Sequence, residues 1–248
     1  MKVNKTSLND AIYEMINLPD DASAVDLGCK NAAYLNSLIE MFPQKITKAV
    51  GVDITDRHFH AVEYDIPVEL RVMNCAEKLD FADNEFDLVL AKDMLECLPD
   101  KEAFVNEIHR ILKPGGIVIC VNADWDSAVF NGENKDLITK AIHAYAVTKQ
   151  WWMDDLDSWM GRRTYSVFNS SGYFESSVNM YSVVETEYKE GSMGYGFSKD
   201  IGWLVEENTG ALTSAEYEEF LHNLEEANKN GEYIFSKPYY IYKGIKKN

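Results

Sequence analysis

Hydrophobic positions along the chain fall into short continuous runs separated by stretches with helical spacing. The apolar runs at 23–26, 49–53, 68–73, 86–91 and 117–123 predict five buried strands. Between them the spacing predicts helices over 32–41, 57–64, 93–97 and 102–112. A leading helix over 7–18 carries Leu8, Ile12, Met15 and Ile16 on one face. Strand and helix alternate with strands apolar throughout, which predicts a parallel sheet covered on both faces and joined by right-handed crossovers. Lys113-Pro114-Gly115-Gly116 is a stop-and-turn signal before the fifth strand.

Beyond Ala123 the rhythm loosens. Helical spacing recurs over 135–148, 162–170, 200–207 and 214–228, and two further strands are expected at 176–189 and, after Pro238, at 239–244. All five tryptophans (Trp125, Trp151, Trp152, Trp159, Trp203) lie in this half, and no internal repeat is present. The second half therefore reads as the variable, substrate-facing part.

Composition narrows the partners. The chain has 248 residues, enough for one large α/β domain or for a core of about 150 residues with a smaller appendage. Its formal net charge of −17 argues against a nucleic-acid backbone as partner, since such binding rests on a basic surface. The first ten residues lack the apolar segment of a signal peptide, and no apolar run is long enough to cross a membrane. A cytoplasmic protein is expected. Cys29, Cys75, Cys97 and Cys120 have no paired spacing and suit reduced thiols used as small packing residues.

The strand ends carry the chemistry. Ala24-Val25-Asp26-Leu27-Gly28-Cys29-Lys30 ends a buried strand in Asp-x-Gly, and Val50-Gly51-Val52-Asp53 ends the next in a carboxylate. Nucleotide-binding α/β folds place a ribose at this spacing: the glycine admits the ligand close to the backbone, and the carboxylate accepts from vicinal hydroxyls. Asp53 could instead cap the segment that starts near Thr55.

Further blocks follow in order: Asn74-Cys75-Ala76-Glu77, Asp83-Asn84-Glu85-Phe86-Asp87-Leu88-Val89, Met94-Leu95-Glu96-Cys97-Leu98-Pro99-Asp100, and Glu107-Ile108-His109-Arg110-Ile111-Leu112-Lys113-Pro114-Gly115-Gly116. Together with the Asp-Leu-Gly-Cys turn, residues 20–125 resemble the class I S-adenosylmethionine-dependent methyltransferases, in particular the ubiquinone/menaquinone-biosynthesis-like branch that acts on small molecules. The resemblance implies a Rossmann-like α/β fold with a seven-stranded, mostly parallel sheet, an antiparallel last strand, and a helical insertion over the active site. It divides the chain into an N-terminal lid helix (1–20), a cofactor-binding core (21–125) and a substrate-facing part with the last two strands (126–248). It also implies S-adenosyl-L-methionine as cofactor. Asp26, Gly28 and Cys29 would sit at its methionine end and Asp53 on its ribose. Ile54 would lie against the adenine, with Asn74, Cys75 and Ala76 along the adenine edge and Ala91 and Lys92 beneath the sulfonium. Two departures stand out. Lys30 and Ala32 occupy positions where relatives carry glycine; a Lys there can keep its side chain outward if its φ is below zero, but it narrows the approach and adds a charge near the cofactor's carboxylate. Cys97 stands where a histidine is common.

The expected activity is transfer of a methyl group by in-line displacement to N, O or S of a small, aromatic or apolar molecule. Candidate substrate contacts are Trp125, Trp151, Trp152, Arg162 and Tyr195, the last within a mobile-looking glycine-rich segment, 191–196. No base stands out; Tyr13, Asp124 and His143 are candidates, and Asp124 could equally be a cap. No metal site is expected, since His58 and His60 point to different helix faces. Alternatives are a catalytically silent, methyltransferase-like binding or scaffold protein, and a nicotinamide-dependent oxidoreductase. The chain is expected to act as a monomer or homodimer.

Overall fold

The computed structural model describes residues 7–59, 66 and 68–248. A capping box at Ser7 and Asp10 starts α1 (Leu8–Tyr13). There follow β1 (Ala22–Leu27), α2 (Ala33–Met41), β2 (Ile46–Asp53), β3 (Val68–Val72), β4 (Phe86–Lys92), α3 (Lys101–Ile111) and β5 (Leu112–Ala123). The second half holds β6 (Val129–Phe130), α4 (Lys135–Val147), α5 (Met160–Asn169), β7 (Phe174–Glu185), α6 (Met193–Glu206), α7 (Ser214–Lys229) and β8 (Phe235–Lys246). Single 3-10 turns lie at Leu95–Cys97 and Trp125–Ser127.

The strand order is β3-β2-β1-β4-β5-β8, with β7 on the far edge of β8. β1 to β5 run parallel; β8 is antiparallel to both β5 and β7. The two-residue β6 pairs with Val129 opposite Ser236, continuing the edge of β8 that β5 leaves. The sheet thus has eight strands where seven were expected, the extra one a stub.

Alternate residues of each strand serve opposite faces. Val25, Val50, Val89 and Val118 meet Phe104 and Ile108 of α3 and Met160 and Phe168 of α5. Ala24, Ala49, Leu88 and Ile119 meet α1 and α2 through Ile12, Leu35 and Leu38. A third apolar cluster gathers α4, α6 and α7 around Phe130, Phe197, Phe220 and Phe235. It stands beside the carboxyl-terminal rim of the sheet, because β6 and the start of β8 extend past that rim.

Three expectations need correction. The stretch 93–97 forms only one 3-10 turn, at Leu95–Cys97. Most of the helix expected over 57–64 lies outside the described residues, and His60 with it; residues 57–59 are not helical. The glycine-rich segment at 191–196 is the start of α6. Ser192 caps it through Tyr195 N, and the Glu185 carboxylate accepts from Met193 N at 2.8 Å and Gly194 N at 2.7 Å. A Cβ on Gly194 would fall 2.3 Å from the Tyr233 hydroxyl, so this glycine permits close packing rather than motion.

Candidate active site

The turn after β1 is shaped as a glycine-rich turn would be, although only one of its residues is glycine. Gly28 has φ +78°, and a Cβ there would lie 3.1 Å from Met94 Cβ. Its N–H and that of Cys29 donate to Val52 O at 2.8 and 2.9 Å, tying the turn to β2. Lys30 has φ +50° and Ala32 φ +56°, so the condition of negative φ at Lys30 is not met. Hydrogen bonds hold the strained backbone: Lys30 N donates to Asp53 Oδ2 at 2.8 Å, and Ala32 N to Cys29 O at 2.7 Å. Non-glycine residues in this region cost on the order of 1–2 kcal/mol each.

Asp53 ends β2 beside this turn. Its Oδ1 accepts from Thr55 N at 3.3 Å, so the local turn seen as an alternative role is present as well. Each carboxylate oxygen keeps further acceptor capacity. Ile54 is 49% exposed next to it. After β3, Asn74 Oδ1 accepts from Ala76 N at 3.0 Å, and the buried Cys75 thiol packs behind the turn.

A cavity of about 490 Å³ opens from the rim of β1 and β4 toward the second half. Asp26, Gly28, Cys29, Lys30, Tyr34 and Lys92 line its sheet side. Glu96, Trp125, Tyr145, Gln150, Trp152 and Met153 line the opposite side. Asp26 is 2% exposed, and burial pushes its carboxyl up to about 7 against the opposing pull of Lys92. Lys92 pairs with Asp93 at 3.1 Å, while the other oxygen of Asp93 accepts Ala123 N at 2.8 Å. Glu96 is equally enclosed. Its Oε2 accepts from Asn122 Nδ2 at 2.6 Å and its Oε1 from Trp125 Nε1 at 3.4 Å, and burial together with the charge of Asp93 raises it to about 7.

Behind Trp125 stands Lys237, its ammonium 4.0 Å from the indole centroid and within 5.3 Å of the Phe197 and Tyr239 rings. Burial brings it down to about 8.

The other sequence-derived candidates are placed elsewhere. Asp124 is fully buried and committed to Arg162: Nε donates at 2.6 Å, Nη2 makes a second contact, and Ser127 adds a bond at 2.7 Å. Neither is offered to the cavity; Asp124 therefore corrects to a structural ion pair, and Arg162 to its partner. His143 Nδ1 donates to Asp126 Oδ1 at 3.0 Å in a separate, shallower hollow of about 320 Å³ that Trp159 and Arg162 also line. Tyr13 packs against Tyr34 at 5.9 Å, one ring behind the cavity wall, with burial raising its phenol to about 12. Trp152 reaches the cavity, whereas Trp151 is 71% exposed under Arg57. Tyr195 packs on Tyr188 at 5.2 Å, away from the cavity. Ala91 is buried at the end of β4, one residue before Lys92.

Sequence reasoning missed Glu96, Tyr34 and Tyr145. The signal for Glu96 was present: it sits between Leu95 and Leu98, both buried, in a segment too short to turn it to solvent. Nothing in the spacing of Tyr34 or Tyr145 separates them from core aromatics. Among the described residues no group of three His, Cys, Asp or Glu could hold a metal, and no helix is long and apolar enough to cross a membrane.

Residues 25–120 match the family model described as "Methyltransferase domain". Over these residues the chain carries a methyltransferase domain. Curated relatives align over the same region. The demethylmenaquinone methyltransferase of Staphylococcus saprophyticus is 29% identical over 44% of this chain and 48% of its own length. The ubiquinone biosynthesis O-methyltransferase of Pseudomonas paraeruginosa is 27% identical over 39% of this chain and 42% of its own length. Phosphoethanolamine N-methyltransferase 3 of Arabidopsis thaliana is 28% identical over 43% of this chain and 22% of its own length. The chain thus spans less than half the length of each of these relatives.

Among solved structures, a protein of Bacillus halodurans C-125 superposes with a TM-score of 0.64 at 15% identity, covering 98% of this chain and 100% of that one. Haemonchus contortus phosphoethanolamine N-methyltransferase 2, solved with S-adenosyl-L-methionine, superposes at 0.57 and 16% identity over 97% of this chain and 52% of that one. These likenesses extend the shared fold into the second half.

Proposed function

We propose that the chain transfers the methyl group of S-adenosylmethionine to N, O or S of a small, partly aromatic or apolar molecule. One observation carries this reading: a single 490 Å³ cavity joins the rim of β1 and β4 to a wall of Trp125, Tyr145 and Trp152. Ligands of open α/β sheets sit at such a rim, and a mostly apolar chamber next to it suits an organic acceptor.

The residues present fit the cofactor. Gly28 leaves open the approach that a Cβ would obstruct, Asp53 retains acceptor capacity for ribose hydroxyls, and Ile54 offers an exposed apolar face to the adenine beside Cys75 and Ala76. Asp26 lies where the methionine end would enter, and Lys30 and Lys92 stand at the same mouth. When bound, the cofactor supplies an electrophilic methyl group. The chain's part is to bind, align and exclude water. Tyr34, Trp125, Tyr145 and Trp152 form the dry wall, and α1 backs it through Tyr13. Holding the two reactants in line can contribute about 7–11 kcal/mol to the rate.

The silent-binder reading drew its support from the lost glycines. With Lys30 and Ala32 both at positive φ, the turn keeps the course that glycines would give it, which supports a binding-competent site. Titration calorimetry with S-adenosylmethionine, followed by a metabolite panel screened for consumption of methyl-labelled cofactor, tests the proposal. Cofactor heat with transfer to at least one panel member is expected; heat without any transfer would favour the silent reading.

A further inference from the structure

Glu96 is a buried carboxyl on the cavity wall that the cofactor-binding residues do not use. Its side chain is held from two elements. Asn122 on β5 donates to Oε2 at 2.6 Å, and Trp125 of the following 3-10 turn donates to Oε1 at 3.4 Å. The Cys120 thiol donates to Asn122 Oδ1 at 3.3 Å, and the Thr164 hydroxyl of α5, which bonds Met160 O at 2.7 Å, lies 3.3 Å from the same oxygen. The Asn122 NH2 therefore faces Glu96. Oε1 holds the long bond from Trp125 and has further acceptor capacity, and Glu96 lines the cavity. The neighbouring Cys97, at a position that could have carried a base, is a thiol that burial pushes to about 12 and that stays protonated.

We propose that Glu96 is the catalytic residue that takes the proton of the methyl acceptor, and that this acceptor is an N–H or O–H group rather than a thiolate, which would need no base. The inference rests on the methyl-transfer reading above. In the balanced step a lone pair of the acceptor nitrogen or oxygen bonds to the methyl carbon as the carbon–sulfur pair stays with sulfur. The acceptor's N–H or O–H bond breaks with its electrons left on the acceptor atom, and the proton passes to Glu96. Groups facing Glu96 set its acidity: Asp93 and Cys97 on its own segment, Cys120 on β5, Tyr145 on α4, and Lys237 and Tyr239 on β8. Burial with Asp93 raises it to about 7, a value suited to taking and returning a proton near neutrality.

The test pairs an activity-free readout with kinetics in the full chain. With 15N-labelled tryptophan, the Trp125 indole resonance should shift with a midpoint near pH 7, and E96Q should abolish that shift. With labelled S-adenosylmethionine and a panel of small amines, phenols and thiols, amines or phenols should be methylated. E96Q should lower kcat at least 100-fold with KM and cofactor affinity within a few-fold, and E96D should restore part of the loss. The rising limb of the kcat–pH profile should disappear in E96Q. A Trp125 resonance that does not titrate, an E96Q enzyme with wild-type kcat, or a cofactor-binding wild type that methylates only thiols or nothing would each overturn the assignment. A wild type that fails to bind the cofactor at all would instead remove the reading on which it rests.

Discussion

The Asp53 carboxylate accepts the backbone N–H of Lys30 at 2.8 Å, joining the end of β2 to the turn after β1. One side chain thus shapes the turn and, in the proposed reading, also takes the ribose hydroxyls. Asp53→Ala is expected to weaken S-adenosylmethionine binding by about 1.5–3 kcal/mol, roughly 10- to 150-fold, through loss of charge-assisted hydrogen bonds. Calorimetry checks it; unchanged affinity would mean that Asp53 serves the turn alone.

Ala32 pays a conformational cost at φ +56° that glycine would not. Ala32→Gly should relieve about 1–2 kcal/mol of strain while adding about 0.4–1 kcal/mol of unfolded-state entropy. The net expectation is a small stabilisation, read as a higher urea midpoint with an unchanged slope.

Arg162 and Asp124 should behave as a structural pair. Removing the guanidinium leaves a fully buried carboxylate whose ionised form has lost its main partner, a change that typically costs about 3–5 kcal/mol. Because Arg162 is itself 37% exposed, water can enter and the lower end is expected for Arg162→Ala. Denaturant unfolding gives the loss; cofactor affinity should stay near wild type.

Asp26 and Glu96 make stability depend on pH in an unusual direction for carboxyls. Both titrate near 7 when folded, raised chiefly by burial, against about 4 when unfolded. Between these values the folded chain holds protons that the unfolded chain has released, so these two groups favour the fold below about pH 4, and that contribution declines as pH rises to about 7. Glu96→Gln, which stays neutral, should therefore raise Tm relative to wild type at pH 8 and lose that advantage at pH 4. An equal difference at both values would contradict a Glu96 pKa raised by burial.

Much of the fold was legible because its signals are local. Continuous apolar runs such as 86–91 and the caps at Ser7 and Asp100 mark elements without reference to the rest of the chain. The start of α6 was not legible, since two of its four first N–H groups are satisfied by Glu185 from another strand, while glycines at 194 and 196 signal flexibility. The turn that joins β1 to β2 could be read from strand ends: Asp26 lines the cavity and Asp53 accepts the Lys30 N–H. The acceptor side could not: whether Asp124, His143 or Glu96 meets the cavity depends on how the 3-10 turn at Trp125–Ser127 rolls. That turn sends Trp125 inward to Glu96 and Asp126 outward to His143.

The most direct test is titration calorimetry of S-adenosylmethionine into the wild-type chain and into Gly28→Val. Gly28 has φ +78° and its Cβ position lies 3.1 Å from Met94 Cβ, so valine would both strain the turn and fill the approach to the rim. One-to-one binding to the wild type, lost in a folded Gly28→Val chain, is the expected result. No heat from the wild type at millimolar cofactor, or undiminished binding to the valine variant, would contradict a cofactor seated at this rim.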